Sequence, residues 1–192
     1  APGQQGSGIG GKLLKRTTEH ARRNGATTRA LITFAFNTVS QGLYMRHGMF
    51  PKMPLYFVRV ARETLRGRLQ APQRPPPPLT LADLPKLADI DKQVLGGSRD
   101  KHHRYLIGDK TMKGVLLRAG DERIGYAYLG SDGHIGPLAG TQPHAMGPAL
   151  QAVLAMALDS EASHISAFIP GTSTAGWSTA LAQGMRISLP MM

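Results

Sequence analysis

The chain has 192 residues, 41% of them hydrophobic, no cysteine and a formal net charge of +11. That length accommodates one or two domains with real cores, and the lack of cysteine excludes disulfides and thiolate chemistry and is compatible with a reducing compartment. No apolar run reaches membrane-spanning length and no charged-then-apolar leader opens the sequence, so the expectation is a cytoplasmic protein without a membrane partner.

The charge is uneven. Residues 1–78 carry 13 Lys/Arg against Glu19 and Glu63, whereas residues 79–192 balance ten basic against ten acidic side chains. An excess confined to the first part suits a polyanionic partner, either a phosphate-rich cofactor or nucleic acid; a merely solvated basic face is the plainer reading for the arginines beyond Val60.

In chain order, the first predicted element is Gln5-Gly6-Ser7-Gly8-Ile9-Gly10-Gly11-Lys12, a glycine-rich turn running into a helix. Without side chains, backbone N–H groups can close on a ligand oxygen at the helix's positive end, which reads as a phosphate cradle. Three patterns overlap here. Gly6, Gly11 and Lys12 fit a nucleotide-hydrolysing P-loop, but Leu13 stands where a hydroxyl should hold magnesium. Gly6, Gly8 and Gly11 fit a dinucleotide loop, yet the next apolar run closes on Asn37 and not on an acid, and both patterns call for an upstream strand. Gln5, Gly8 and Gly10 fit Q/R-x-x-G-x-G/A, whose ligand is the pyrophosphate of coenzyme A. A linker-like terminus is the structural alternative, and the amphipathic helix that follows argues against it.

In that helix Ile9, Leu13 and Ala21, with Leu14 and Thr17 alongside, predict an inward stripe, while Lys15, Arg16, Glu19, Arg22 and Arg23 face water; Asn24-Gly25 ends it. Residues 30–36 predict a buried strand. Thr38 and Gln41 make a capping box, with Asn37 as the alternative cap, for a short helix through Leu43 and Tyr44 to His47-Gly48, and residues 54–60 predict a second strand.

This order resembles the second half of an N-acetyltransferase of the GNAT superfamily. The residues that carry it are the Gln5 to Gly10 loop, its helix, the strand ending at Asn37, and Asn37, Ser40, Leu43, Tyr44, Gly48 and Met49, the last standing where a phenylalanine is usual. The resemblance implies an α/β (α+β) fold of the acyl-CoA N-acyltransferase-like kind, a mixed β-sheet flanked by helices. It implies acetyl-CoA as acetyl donor, no metal, and an amine-bearing acceptor, either a small molecule or a protein N-terminus or lysine. Carried over, residues 5–12 hold the pyrophosphate, Asn37 contacts the pantetheine arm or nearby backbone, and Ser40 contacts cofactor or the helix start. Tyr44 lies near the thioester sulfur, where its O–H can protonate the departing thiolate as general acid; a half-buried tyrosine packing a short helix is the plain alternative. Complete domains of this type have strands and helices before the loop, so residues 1–61 read as a C-terminal half lacking its acceptor side and general base, for which neither Glu19 nor Glu63 is assigned.

Residues 62–78, with Arg62, Arg66, Arg68, Arg74 and Pro75-Pro76-Pro77-Pro78, read as a stiff linker. Beyond it the pattern predicts a short strand and helix from Leu79 to Gly96, a charged helix over 99–106, strands over 112–117, 123–129 and 134–138, a helix over 148–158, a strand over 165–169 and a helix over 174–182. The end repeats the beginning: Ser173 falls at the position of Asn37, Gly176 at Ser40 and Ala180 at Tyr44. The cradle's place holds Gly140 to Pro148, where Pro143 and Pro148 cannot donate N–H bonds. Residues 79–192 therefore read as a complete but degenerate GNAT-like domain, making two tandem copies. No histidine spacing suits a metal, the adjacent His102 and His103 pointing apart on a helix. Competing readings are a nucleic-acid-binding module, supported by charge alone, and a catalytically dead scaffold. The exposed edge of the 30–36 strand is covered by the second domain or by a homodimer.

Overall fold

In the computed structural model, which describes residues 6–69, 76–119 and 122–191, the glycine-rich turn runs directly into α1 (Ile9–Arg23). Gln5 lies outside the described residues, as do Arg74, Pro75, Gly120 and Asp121. The chain divides into two units, Ala1–Pro54 with Pro190–Met192, and Leu55–Leu189.

The first unit holds α1 and α2 (Thr38–Arg46). Helix α1 ends as read, Gly25 taking φ +78° just past the Asn24 cap. Its inward stripe differs from the expected one. Gly11, Leu14, Thr18 and Ala21 are half-buried, whereas Ile9 and Leu13 are 46% and 58% exposed. The glycines decide this: a Cβ on Gly10 would come 3.3 Å from Leu43 Cδ2, and one on Gly11 3.8 Å from Leu43 Cδ1, so α2 packs on the bare glycine side of α1. The predicted strand over 30–36 does not form beyond a single β-bridge residue at Phe34. A lone strand leaves its backbone groups unpaired, and the nearest strand in sequence pairs elsewhere. Phe34 and Phe36 instead stack at 5.0 Å, and Ile32 and Phe36 are 60% and 70% exposed. No described residue of 6–54 is buried.

The second unit is built on a six-stranded mixed sheet in the order β2-β3-β4-β5-β1-β6. Its strands are β1 (Leu55–Ala61), β2 (Met112–Ala119), β3 (Glu122–Gly130), β4 (His134–Gly140), β5 (His164–Pro170) and β6 (Arg186–Met191). Strands β2, β3 and β4 form an antiparallel meander; β5 runs parallel to β4 after a helical crossover, and β1 lies antiparallel to β5 with Leu55 opposite Pro170 and Ala61 opposite His164. The helices are α3 (Arg62–Arg66), α4 (Leu84–Leu95), α5 (Asp100–Gly108), α6 (Met146–Ala157) and α7 (Thr174–Ala182). Alternation along the strands fills two cores. Val115, Leu117, Ala127 and Leu129 meet α6 residues such as Val153 and Leu154, while Leu116, Tyr126 and Tyr128 meet Leu87 and Ile90 of α4 and Leu106 of α5.

Two boundaries move. Strand β1, read as closing the first half-domain, sits between β5 and β6 of the second unit's sheet, because its alternating Val58 and Val60 bury against that core. The segment read as a linker from residue 62 begins as α3 and places Leu65 and Leu69 in the same core, at 0% and 7% exposure. Strand β6 and α3 escaped the sequence reading. The short strand expected at Leu79 is reduced to a single bridge between Pro78 and Val115, and the other predicted elements of the second unit are present, α7 with its predicted bounds.

Candidate functional site

The turn read as a cradle is a property of backbone. Gly6 and Gly8 take φ +85° and +78°, and an added Cβ at either would meet nothing within 4 Å, so the turn is open space bounded by main chain. Gly8 is the N-cap of a 15-residue helix, provides no side-chain cap, and is followed by no acid in the first turn. The first backbone bond inside the helix is Lys12 N–H to Gly8 O at 3.1 Å, so the N–H groups of Ile9, Gly10 and Gly11 start the helix without an intrahelical acceptor. Those amides, the helix dipole and Lys12 favour an anion. Ser7 is the exposed residue between the two left-handed glycines.

Helix α2 adds the second component. Asn37, not Thr38, is its N-cap: the Asn37 Oδ1 accepts from Ser40 N–H at 3.1 Å. Gln41 takes no part in a capping box, its amide donating to Phe34 O at 3.2 Å and Ala35 O at 2.6 Å, which ties the preceding segment to the helix. Asn37, Ser40 and Tyr44 recur at three- and four-residue spacing and share one face of α2. The neighbouring face, Leu43 and His47, is the one that packs on Gly10 and Gly11. Tyr44 is half-buried and its hydroxyl has no hydrogen-bond partner among the described residues. Loop and α2 face thus belong to one packed corner. Glu19, expected in water, is half-buried.

The corresponding corner of the second unit is closed. A Cβ on Gly140 would come 2.7 Å from Met146 Sδ, one on Gly147 3.0 Å from Thr179 Oγ1 and one on Gly176 2.6 Å from Ser173 Oγ, so these glycines serve packing. Ser173 provides no side-chain cap, and Ala180, at the position of Tyr44, is fully buried. Strands β4 and β5 pair only at His134/Ser166 and Ile135/Ala167, beyond which Pro137 removes a donor, and a cleft of about 350 Å³ lined by Pro143, Met146, Thr174 and Ser178 remains.

Residues 1–49 match the Acetyltransferase (GNAT) family. Every predicted site residue lies inside that GNAT match. Solved structures agree in fold. A candidate acetyltransferase from Pyrococcus horikoshii has a TM-score of 0.71 at 19% identity over 100% of this chain and 60% of its own. GCN5-related N-acetyltransferases from Kribbella flavida and Anabaena variabilis reach TM-scores of 0.61 and 0.60 at 15% identity, each over 100% of this chain and 49% and 52% of theirs. At such identities the likeness shows the GNAT-like fold, and this chain spans about half to three fifths of those proteins' length. No curated protein matches the sequence. Among the described residues no group of three metal-ligating side chains occurs, and no helix is long and apolar enough to cross a membrane.

Sequence reasoning missed one polar cluster in the second unit. Asp91 and His103 are fully buried. The Asp91 carboxylate accepts from Tyr126 O–H at 2.7 Å, His103 Nε2 at 2.9 Å, Arg99 N–H at 3.0 Å and the Arg99 guanidinium at 3.2 Å, while His103 Nδ1 lies 2.9 Å from the Tyr128 hydroxyl. Burial pushes Asp91 up, but the hydrogen bonds from Tyr126, Arg99 and His103 outweigh it and hold the carboxyl below its ordinary value. Burial pushes the Tyr128 hydroxyl up to about 12. The signal was an acid within the inward stripe of α4, one turn past Leu87. Saturated and sealed, the cluster locks α4 and α5 to β3.

Proposed function

We propose that residues 1–54 are the acetyl-CoA-binding half of an N-acetyltransferase that moves an acetyl group to an amine, and that the second unit is a worn second copy of the same fold. The amine belongs to a small molecule or to a protein N-terminus or lysine. The observation that carries this reading is the open, uncapped helix start at Gly6 to Lys12 packed beside the Asn37/Ser40/Tyr44 face. Gln5, Gly6, Ser7, Gly8, Ile9, Gly10, Gly11 and Lys12 hold the pyrophosphate, with Asn37 and Ser40 along the rest of the cofactor. When bound, acetyl-CoA supplies the thioester that the amine attacks. Tyr44 Oη–H holds the proton that the departing sulfur needs, help typically worth a hundred- to ten-thousandfold. Glu19 is the sole carboxylate among the described residues of the first unit and lies three turns from the cradle, so the base and the acceptor side are supplied from outside residues 1–54.

Calorimetry with coenzyme A on the whole chain tests this, with amide exchange locating the ligand. Protection is expected at residues 6–12 and not at 140–148. Gly8→Asp, which strains a left-handed position and sets a negative charge against phosphate, is expected to lower affinity at least tenfold. Undiminished binding by Gly8→Asp would overturn the cradle assignment.

A further inference from the structure

At the end of the second unit's sheet where β5 begins and β1 ends, a groove of about 460 Å³ is lined by Arg59, Arg68, Arg186, His164, Thr64 and Ser188. The worn cofactor corner, at Gly140 and Pro170, lies at the opposite end of those strands, since Ala61 pairs with His164 and Leu55 with Pro170. The groove is therefore no remnant of that corner. Three arginines and a histidine are among its lining residues, and no Asp or Glu is. The nearest acid in sequence, Glu63, is already engaged by Arg66 at 3.1 Å and by Arg62 at 4.0 Å. Arg59, Arg68 and Arg186 make no salt bridge among the described residues.

One of the three is fixed in place. Arg68 Nη1 donates to Ala182 O, at the carbonyl end of α7, at 3.2 Å. Its guanidinium lies against Gly184, where φ is +79° and a Cβ would stand 3.2 Å from Arg68 Nε. Arg59 and Arg186 reach the groove from neighbouring strands and are exposed. Like charges gathered in a concavity repel one another, and an anion relieves that repulsion; planar guanidinium forks match phosphate oxygens two at a time. The hydroxyls of Thr64 and Ser188 add donors of the kind phosphate esters use. The volume is that of a small-molecule site.

We propose that this groove binds a phosphate-bearing small molecule, independently of the coenzyme A cradle. The test uses the whole chain carrying Gly8→Asp, so that the cradle does not compete for the probe, and inorganic pyrophosphate as that probe. Calorimetry is expected to show one binding event that weakens as salt rises from about 50 to 200 mM. Adding Arg59→Gln and Arg186→Gln is expected to weaken it at least tenfold with the melting temperature unchanged, since both side chains are exposed. Arg186→Lys keeps the charge, loses the fork and is expected to weaken binding by a smaller factor, which separates recognition from folding. Absent pyrophosphate binding, or affinity unaltered by the paired substitution, overturns the proposal. A twelve-residue oligothymidylate that binds more than tenfold tighter than pyrophosphate, and loses that affinity in the same paired variant, overturns it in favour of a nucleic-acid strand. Because the cradle is already disabled, none of these outcomes bears on the acetyltransferase reading.

Discussion

The corner around α2 and the corner around α7 are built by the same hydrogen bonds and packed in opposite ways. Asn37 N–H reaches Phe34 O as Ser173 N–H reaches Pro170 O, Gln41 N–H reaches Asn37 O as Trp177 N–H reaches Ser173 O, and Met49 N–H reaches Tyr44 O as Met185 N–H reaches Ala180 O. Gly48 and Gly184 close the two helices at φ +78° and +79°. Even a side-chain bond is kept, Gln41 Nε2 to Phe34 O at 3.2 Å and Trp177 Nε1 to Pro170 O at 3.1 Å. What differs is burial. Around α2 no residue is buried and the polar face stays open; around α7 Gly176 and Ala180 are buried in a core. The same backbone device serves both corners, and the side chains at the Asn37, Ser40 and Tyr44 positions differ in leaving one corner open and polar where the other is filled by packing.

The largest expected effect comes from the buried charge that only the second unit contains. Asp91→Asn leaves Arg99 and His103 without their carboxylate and is expected to destabilise that unit by about 3–5 kcal/mol, read as a lowered melting temperature. No single substitution in residues 6–54 should approach that. The same carboxyl sets an acid limit. Its folded pKa lies below the ordinary 3.8, so its stabilising contribution is complete above about pH 4 and is lost as pH falls through the folded value. Acid melts below pH 4 should show a steep loss for the parent chain and a shallower one for Asp91→Asn; equal slopes would remove Asp91 as the cause.

Exchanging the Tyr44 and Ala180 positions sharpens the comparison. Ala180→Tyr forces a ring into a fully buried methyl's place, with an expected cost of about 1–3 kcal/mol or more and no gain of acetyl transfer, because Gly140 and Gly147 are already packed. Tyr44→Phe should leave stability within about 0.5 kcal/mol, since its hydroxyl has no partner to lose. In a chain competent for transfer, turnover should fall at least tenfold with coenzyme A affinity nearly unchanged. Unchanged turnover across pH would take Tyr44 out of the mechanism.

How much of this was legible depends on how local the signal is. The glycine turn into α1, the helix α2 that carries Asn37, Ser40 and Tyr44, and α7 follow from glycines, caps and spacing within a dozen residues, and all three elements form where those signals put them, with Asn37 and not Thr38 as the cap of α2. The strand over 30–36 was misread because apolar, aromatic composition states a preference for burial and says nothing about whether a pairing partner is at hand. Strand β1 was correctly read as a strand and wrongly grouped, since its β5 partner lies more than a hundred residues on. The inward face of α1 was misjudged for a related reason: Gly10 and Gly11 score as neutral in a periodicity, yet their missing side chains let Leu43 approach. Arg59, Arg68 and Arg186 carry no joint signal because only the folded sheet brings them together. Strand β6 could have been found by extending the repeat past Gly184, as β1 follows Gly48.

The smallest effect tests whether the shared scaffold is energetically as well as geometrically common. Gln41→Leu and Trp177→Phe each delete the donor that returns to the carbonyl three residues before the cap. A hydrogen bond of this kind is worth about 0.5–1.5 kcal/mol, and an orphaned carbonyl costs more when it is buried than when water can reach it. The two environments differ in that respect: Gln41 also serves Ala35 O at the edge of an exposed segment, whereas Trp177 packs edge-on to Tyr56 at 5.3 Å against the core. Trp177→Phe is therefore expected to cost the second unit about 1 kcal/mol or more, while Gln41→Leu loosens the 34–37 turn with little change in global melting. Amide exchange at Asn37 and Ser173, whose N–H groups bond to the Phe34 and Pro170 carbonyls, reads the difference directly: faster exchange at Asn37 in Gln41→Leu, with melting unmoved, is the expected pair of results. If instead Gln41→Leu lowers the melting temperature as much as Trp177→Phe does, the first corner is held by more than the contacts described for it, and the contrast between an open corner and a buried packing one fails.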